Sequence, residues 1–202
     1  MFALAEGRLA EAEALSIKRH ELGKAVLLTA SVSIYRCQRH ALHDLRNDLA
    51  AVEPEIAELV TLFPARPVFR CVLAHTHARI GRTDDAARAL PALTGSLPFD
   101  QEWLYAMSLL AETAALVHDV DSAAVLYQEV SPWAELNAVD VAEGCRGAVS
   151  RYLGLLAMTL GRRDAALAHF EHAIRANERM GFTPWAARSR EDRDLALRDS
   201  PE

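Results

Sequence analysis

Cysteine is scarce in this chain: Cys37, Cys71 and Cys145 are its three, far apart and with no CxxC spacing. That spacing gives neither a disulfide framework nor a thiolate metal site, and three buried small hydrophobes are expected. Positive charge is not in excess, the formal net charge being −6 and the isoelectric point near 5.8. A surface that grips nucleic acid or anionic lipid needs clustered Lys and Arg. Arg36, Arg39, His40, His43 and Arg46 come closest, but they lack interleaved aromatics and a recognised module, so direct nucleic-acid binding is not expected. Long apolar runs are missing too. AVLLTASVSIY, residues 25 to 35, is too short and too flanked by charge to span a bilayer or serve as a signal, so no membrane partner and a cytoplasmic location are expected.

Signatures of catalysis are equally sparse. Nothing resembles GxSxG, and no cysteine has a context that would activate it. His40, His43 and Asp44 share one helical face, but a zinc site needs three or four converging ligands. His75 and His77, two apart on a predicted helix, point in different directions. These histidines are therefore expected to face solvent or to make ordinary hydrogen bonds. Asp84, Asp85, Asp119 and Asp121 sit at predicted turns and read as helix caps. No enzyme, no metal and no cofactor is expected, a metal-dependent enzyme being the last of the readings.

What the chain has is globular composition, 51% hydrophobic and 25% charged, and a recurring pattern. GRRDAALAHF (161 to 170) aligns with GRTDDAARAL (81 to 90), and HDVDSAAVLY (118 to 127) fits the same frame. Weaker matches at GRLAEA (7 to 12) and RNDLAAVEPEI (46 to 56) extend it upstream. The turn positions Gly7, Asn47, Gly81, His118 and Gly161 are then separated by 40, 34, 37 and 43 residues, as in paired-helix repeats. Gly or Asn at each turn accepts the left-handed conformation that ends one helix and lets the next fold back. Ala86, Ala123 and Ala166 allow close helix approach, while Leu90, Tyr127 and Phe170 fill the space one turn later. In the preceding helices Leu73-Ala74, Leu110-Ala111 and Leu153-Gly154 set a large residue beside a small one at the crossing.

The pattern predicts an all-α chain of about ten helices forming one domain over 1–202, with weaker repeats in 1–66, clearer ones in 67–182 and a polar capping helix over 184–198. Breaks are predicted near Gly23, Asn47, Phe63 to Pro67, Gly81, Thr94 to Asp100, Asp119, Pro132 to Asn137, Gly161 and Gly181. Thr183 reads as an N-cap with Pro184 at the first helical position. No segment alternates for long as a strand would.

Leu153, Gly154, Ala157, Gly161, Ala166, Phe170 and Ala173 together resemble the tetratricopeptide repeat. Longer strings, FPARPVFRCVLAHTHARIGRTDDAARAL, FDQEWLYAMSLLAE and CRGAVSRYLGLLAMTLGRRDAALAHFEHAIRANERMGFTPWAARSR, are similar to the helical C-terminal region of large bacterial regulators. Those regulators are STAND-type signalling ATPases fused to LuxR-like DNA-binding domains or to class III nucleotide cyclases. The resemblance implies a tetratricopeptide-like α-solenoid that acts as a sensor or scaffold arm and binds protein. The chain has no GxxxxGK[ST] loop, cyclase segment or recognisable helix-turn-helix, so the effector functions do not carry over.

Gly7 reads as the turn of a repeat whose first helix precedes Met1. The expectation is a fragment of a longer regulator, its partners being its own effector domains or another protein. The alternative is a free-standing adaptor that covers the bare flank as a homodimer. By the tetratricopeptide register the exposed concave positions include Cys71, His75, Arg79, Tyr105, Ser108, Glu112, Arg151, Leu155 and Met158. The set lacks a Lys/Asn carboxylate clamp, and packing of several members against a neighbouring domain or the last helix stays open as the other reading.

Overall fold

The computed structural model describes residues 1–24 and 28–198. Most of them are helical: α1 (Phe2–Ala5), α2 (Leu9–Lys24), α3 (Leu28–Arg46), α4 (Glu53–Leu62), α5 (Pro67–Arg79), α6 (Thr83–Leu93), α7 (Trp103–Leu116) and α8 (Val120–Val130) come first. A two-stranded antiparallel hairpin, β1 (Asn137–Asp140) and β2 (Gly144–Ala148), follows, and then α9 (Val149–Thr159), α10 (Arg163–Arg179) and α11 (Thr183–Arg198). No described helix is long and apolar enough to cross a membrane. The first three residues of the apolar run 25–35 lie outside the described residues.

The turns follow from their residues. Gly7, Asn47, Gly81, His118, Gly161 and Gly181 all have positive φ, between 54° and 83°. Each lies in the same doubly bonded C-terminal motif. At Gly81 the Arg82 N–H donates to the His77 carbonyl at 2.8 Å and the Gly81 N–H to Ala78 at 3.3 Å; at Gly161 the Arg162 N–H donates to Ala157 at 2.8 Å. Consecutive helices pack on each other across these turns: α5 lies against α6 and α7, α7 against α8 and α9, and α9 against α10. Ala86, Ala123, Ala166, Ala173, Leu153 and Phe170 are fully buried. A Cβ added at Gly154 would stand 2.4 Å from Phe170 Cε1, so the helices meet at the distance only glycine allows.

The structure departs from the sequence expectations at several places. The hairpin stands where the pattern gave a loop running into a helix. All five residues of β2, GCRGA, are buried, so no polar-out alternation betrays the strand. Its turn is built locally, the Asp140 carboxylate accepting the N–H groups of Ala142 and Glu143 at 2.8 and 2.9 Å. The last helix, read from its sequence as a polar cap, has a buried face of Trp185, Ala186, Ser189 and Ala196 and packs on α10, α9, β2 and α1. It also begins at Thr183, one residue earlier than an N-cap role for Thr183 would place it. Finally, Gly7 closes the short helix α1, whose Ala3, Leu4 and Ala5 are buried.

Of the carboxylates read as caps, Asp119 does cap α8, accepting from the Ser122 N–H at 3.0 Å. Asp85 instead pairs with Arg82, which precedes α6, and with Arg88, one turn further along it.

Candidate functional site

The inner face of the helix array carries a buried charge network. From α3, Asp44 meets Arg188 of α11 (Nη1 to Oδ2, 2.8 Å), Arg146 of β2 (3.3 Å) and Arg79 of α5 (Nε to Oδ1, 3.3 Å). Glu112 of α7 accepts from Arg146 and, at 3.3 Å, from Arg151 of α9, whose Nε donates to Asp192 of α11 at 2.7 Å. Arg146, Asp44, Glu112 and Arg151 are at most 4% exposed. Three carboxylates thus answer four guanidiniums. Such a cluster adds little to stability as a whole, but each member is costly to remove singly, since its partner is left charged in a dry interior.

Two histidines complete it. His40 Nε2 lies 3.2 Å from His75 Nδ1, and His75 Nε2 lies 3.3 Å from Glu112 Oε2. His75 Nε2 stands between the Glu112 carboxylate, which only accepts, and Arg146 Nη2, which only donates and lies 3.3 Å away, while His75 Nδ1 and His40 Nε2 share one proton between them. His40 Nδ1 is buried with no hydrogen-bond partner. Burial, reinforced by the neighbouring His75, pushes the His40 ring well below the usual imidazole range, and burial plus Arg146 lowers His75. Burial alone would raise Asp44 and Glu112, yet the guanidiniums outweigh it, Arg188 foremost at Asp44 and Arg151 at Glu112, and both stay ionised.

The structure relocates most of the sequence-predicted groove. His75, Glu112 and Arg151 lie in the network, and Cys71, Tyr105 and Ser108 are buried beside it, Ser108 Oγ donating to the Tyr105 carbonyl at 2.6 Å. These positions are buried and not exposed to solvent: Arg146 of β2 reaches Glu112, and Arg151 reaches Asp192 of α11. Arg79, Leu155 and Met158 keep partial exposure. Arg79 lines a shallow groove of about 500 Å³ with Asn47, Asp48 and Ile80. Leu155 lines one of about 650 Å³ with Met158, Thr159 and Leu195. A third groove, about 680 Å³ and largely apolar, runs between α2 and α3 under the hairpin tip. His77 faces away from His75, to Glu53 at 3.0 Å.

Sequence reasoning missed Arg146, Arg188 and the convergence of His40 with His75. The unalternating GCRGA carries no signal for any of them.

Nucleophilic and metal chemistry find poor footing. All three thiols are free, buried and raised by burial, Cys71 to about 12, so none is a thiolate near neutrality. Glu102, Asp140 and Glu143 bring carboxylate oxygens within 4.8 Å of one another. Arg66 Nη2 bridges Glu102 and Glu143, 2.9 Å from the latter. No family model matches the chain, and no curated protein or solved structure does either.

Proposed function

We propose that the chain is a tetratricopeptide-like α-solenoid that binds protein and does no chemistry of its own, the sensor or scaffold arm of a larger cytoplasmic signalling ATPase or transcriptional regulator. The observation that carries this reading is the repeated helix-pair frame, in which each turn is a left-handed residue and Phe170 seats against Gly154 at the crossing. The chemistry of the interior agrees with it. Its ionisable groups are buried and largely paired with one another, whereas a catalytic group must be free to meet a substrate.

The partner face is the inner one, reached at its rim. Arg79 stands one helical turn beyond His75 and Leu155 one turn beyond Arg151, so both continue the inner face outward to solvent. The arm reading is tested by the size of the native polypeptide, probed by immunoblot with an antibody to this domain. A band far above 22.2 kDa is expected; a single band at that mass would replace the arm with a free-standing adaptor.

A further inference from the structure

The tip of the hairpin gathers negative charge. Asp140 ends β1 and Glu143 stands just before β2. Asp140 turns the chain between them, its Oδ1 accepting from the Ala142 and Glu143 N–H groups. Glu102, which immediately precedes α7, brings a third carboxyl group, and one oxygen from each of the three lies within 4.8 Å of the others. The group is sheltered from water, with Glu143 1% and Asp140 4% exposed and 13% of the Glu102 side chain accessible. Carboxylates so close in such a place repel one another strongly unless cations answer them.

Arg66 answers in part, its Nη2 bridging Oε1 of Glu102 and Oε1 of Glu143. Among the described residues no second cation pairs with any of the three. Fully ionised, three carboxylates against one guanidinium leave two negative charges over. The shortfall shows at the atoms of Glu143. Its Oε2 is buried and accepts no hydrogen bond, and the neighbouring Cys37 thiol is only a weak donor. Burial holds the Glu143 carboxyl above its usual range in spite of Arg66.

We propose that Glu102, Asp140 and Glu143 hold a hard divalent cation of calcium's kind, which pins the hairpin tip to the head of α7. The charge of one such ion equals the charge left over. The donors are all carboxylate oxygens, which select hard cations, and the thiol beside them, Cys37, is kept protonated by burial and offers no soft ligand. Calcium binds oxygen at about 2.4 Å, so two ligands facing each other across one ion stand about 4.8 Å apart, the span that the three oxygens keep. Water completes the shell from the side of Arg66, whose side chain is 34% exposed. Arg66 shares two of the carboxylates with the ion and so competes with it. The role is structural, since the ion cancels charge inside the fold and meets no substrate.

The test is calorimetric titration of the full chain, stripped with a chelator, with calcium chloride and separately with magnesium chloride at neutral pH. One saturable calcium site per chain is expected, with a dissociation constant below about 1 mM, the weak end of protein calcium sites. Magnesium, which demands a tight octahedral shell, should bind more weakly. E143Q and D140N keep the shapes they replace, and an asparagine at 140 can still accept the N–H groups of the turn. Each should weaken calcium binding by at least about tenfold, since loss of a mere outer-shell partner already costs about 10- to 100-fold. R66Q removes the competing charge and should tighten binding by roughly tenfold. E135Q, at an exposed carboxylate, should change nothing. No saturation of the wild type by about 1 mM calcium would overturn the site. So would affinity left untouched by both E143Q and D140N, which would place the calcium elsewhere on an acidic surface. Tighter binding of magnesium than of calcium would overturn the choice of ion. If E143Q and D140N lack native helical circular dichroism, the wild type and R66Q decide, and equal or weaker binding in R66Q would overturn the proposal.

Discussion

At Gly154 and Phe170 the physical content of the repeat comes down to one contact. The ring is fully buried and leaves no room for a methyl group on the facing helix. Phe170→Ala should cost roughly 3–5 kcal/mol, as aromatic truncations in cores do. Gly154→Ala should cost roughly 1–3 kcal/mol by overpacking. The two positions share one space, so Gly154→Ala combined with Phe170→Leu should cost less than the sum of the single changes. Urea unfolding followed by circular dichroism measures all four variants; an unchanged midpoint for Phe170→Ala, or strict additivity in the pair, would refute the assigned crossing. This contact was legible in the sequence because both partners belong to adjacent helices joined by a tight turn.

Among the elements, the helix ends make an opposed pair of predictions. His118 holds the left-handed conformation at φ 54°, where glycine stands in the equivalent turn at Gly161 with φ 69°. A side chain is strained there, so His118→Gly should raise stability by roughly 0.5–1 kcal/mol and Gly161→Ala should lower it by roughly 1–2 kcal/mol. Thermal melts of the two variants decide, and shifts of the same sign would show that the two turns are not equivalent. The turns could be read from the chain because their cause is local, a residue's tolerance of positive φ within a fixed interval. The hairpin could not. GCRGA is buried on both faces, and Gly147 is demanded by the Trp185 side chain, whose Cβ would come within 2.6 Å of any added methyl. Nothing local to residues 144–148 announces a tryptophan so far along the chain.

For the whole molecule the same distinction separates the inner face from its rim. The spacing placed His75, Glu112 and Arg151 on an exposed concave surface, and they are buried. The network they join is also tied to α3 by pairings across 102 residues, Arg146 to Asp44, and 144 residues, Arg188 to Asp44, which no repeat register contains. An array read as open is thus closed by its own hairpin and last helix, and the inner face becomes a network of fixed charges with an accessible edge. We propose that a protein partner is met at this edge. It is tested most directly by placing a photoreactive residue at position 79, 155 or 175 and irradiating the native cells. Arg175, an exposed residue of α10, serves as the control away from the inner face. Protein adducts at positions 79 and 155 with none at 175 are predicted. Adducts at 175 alone, or none at 79 and 155, would contradict the account.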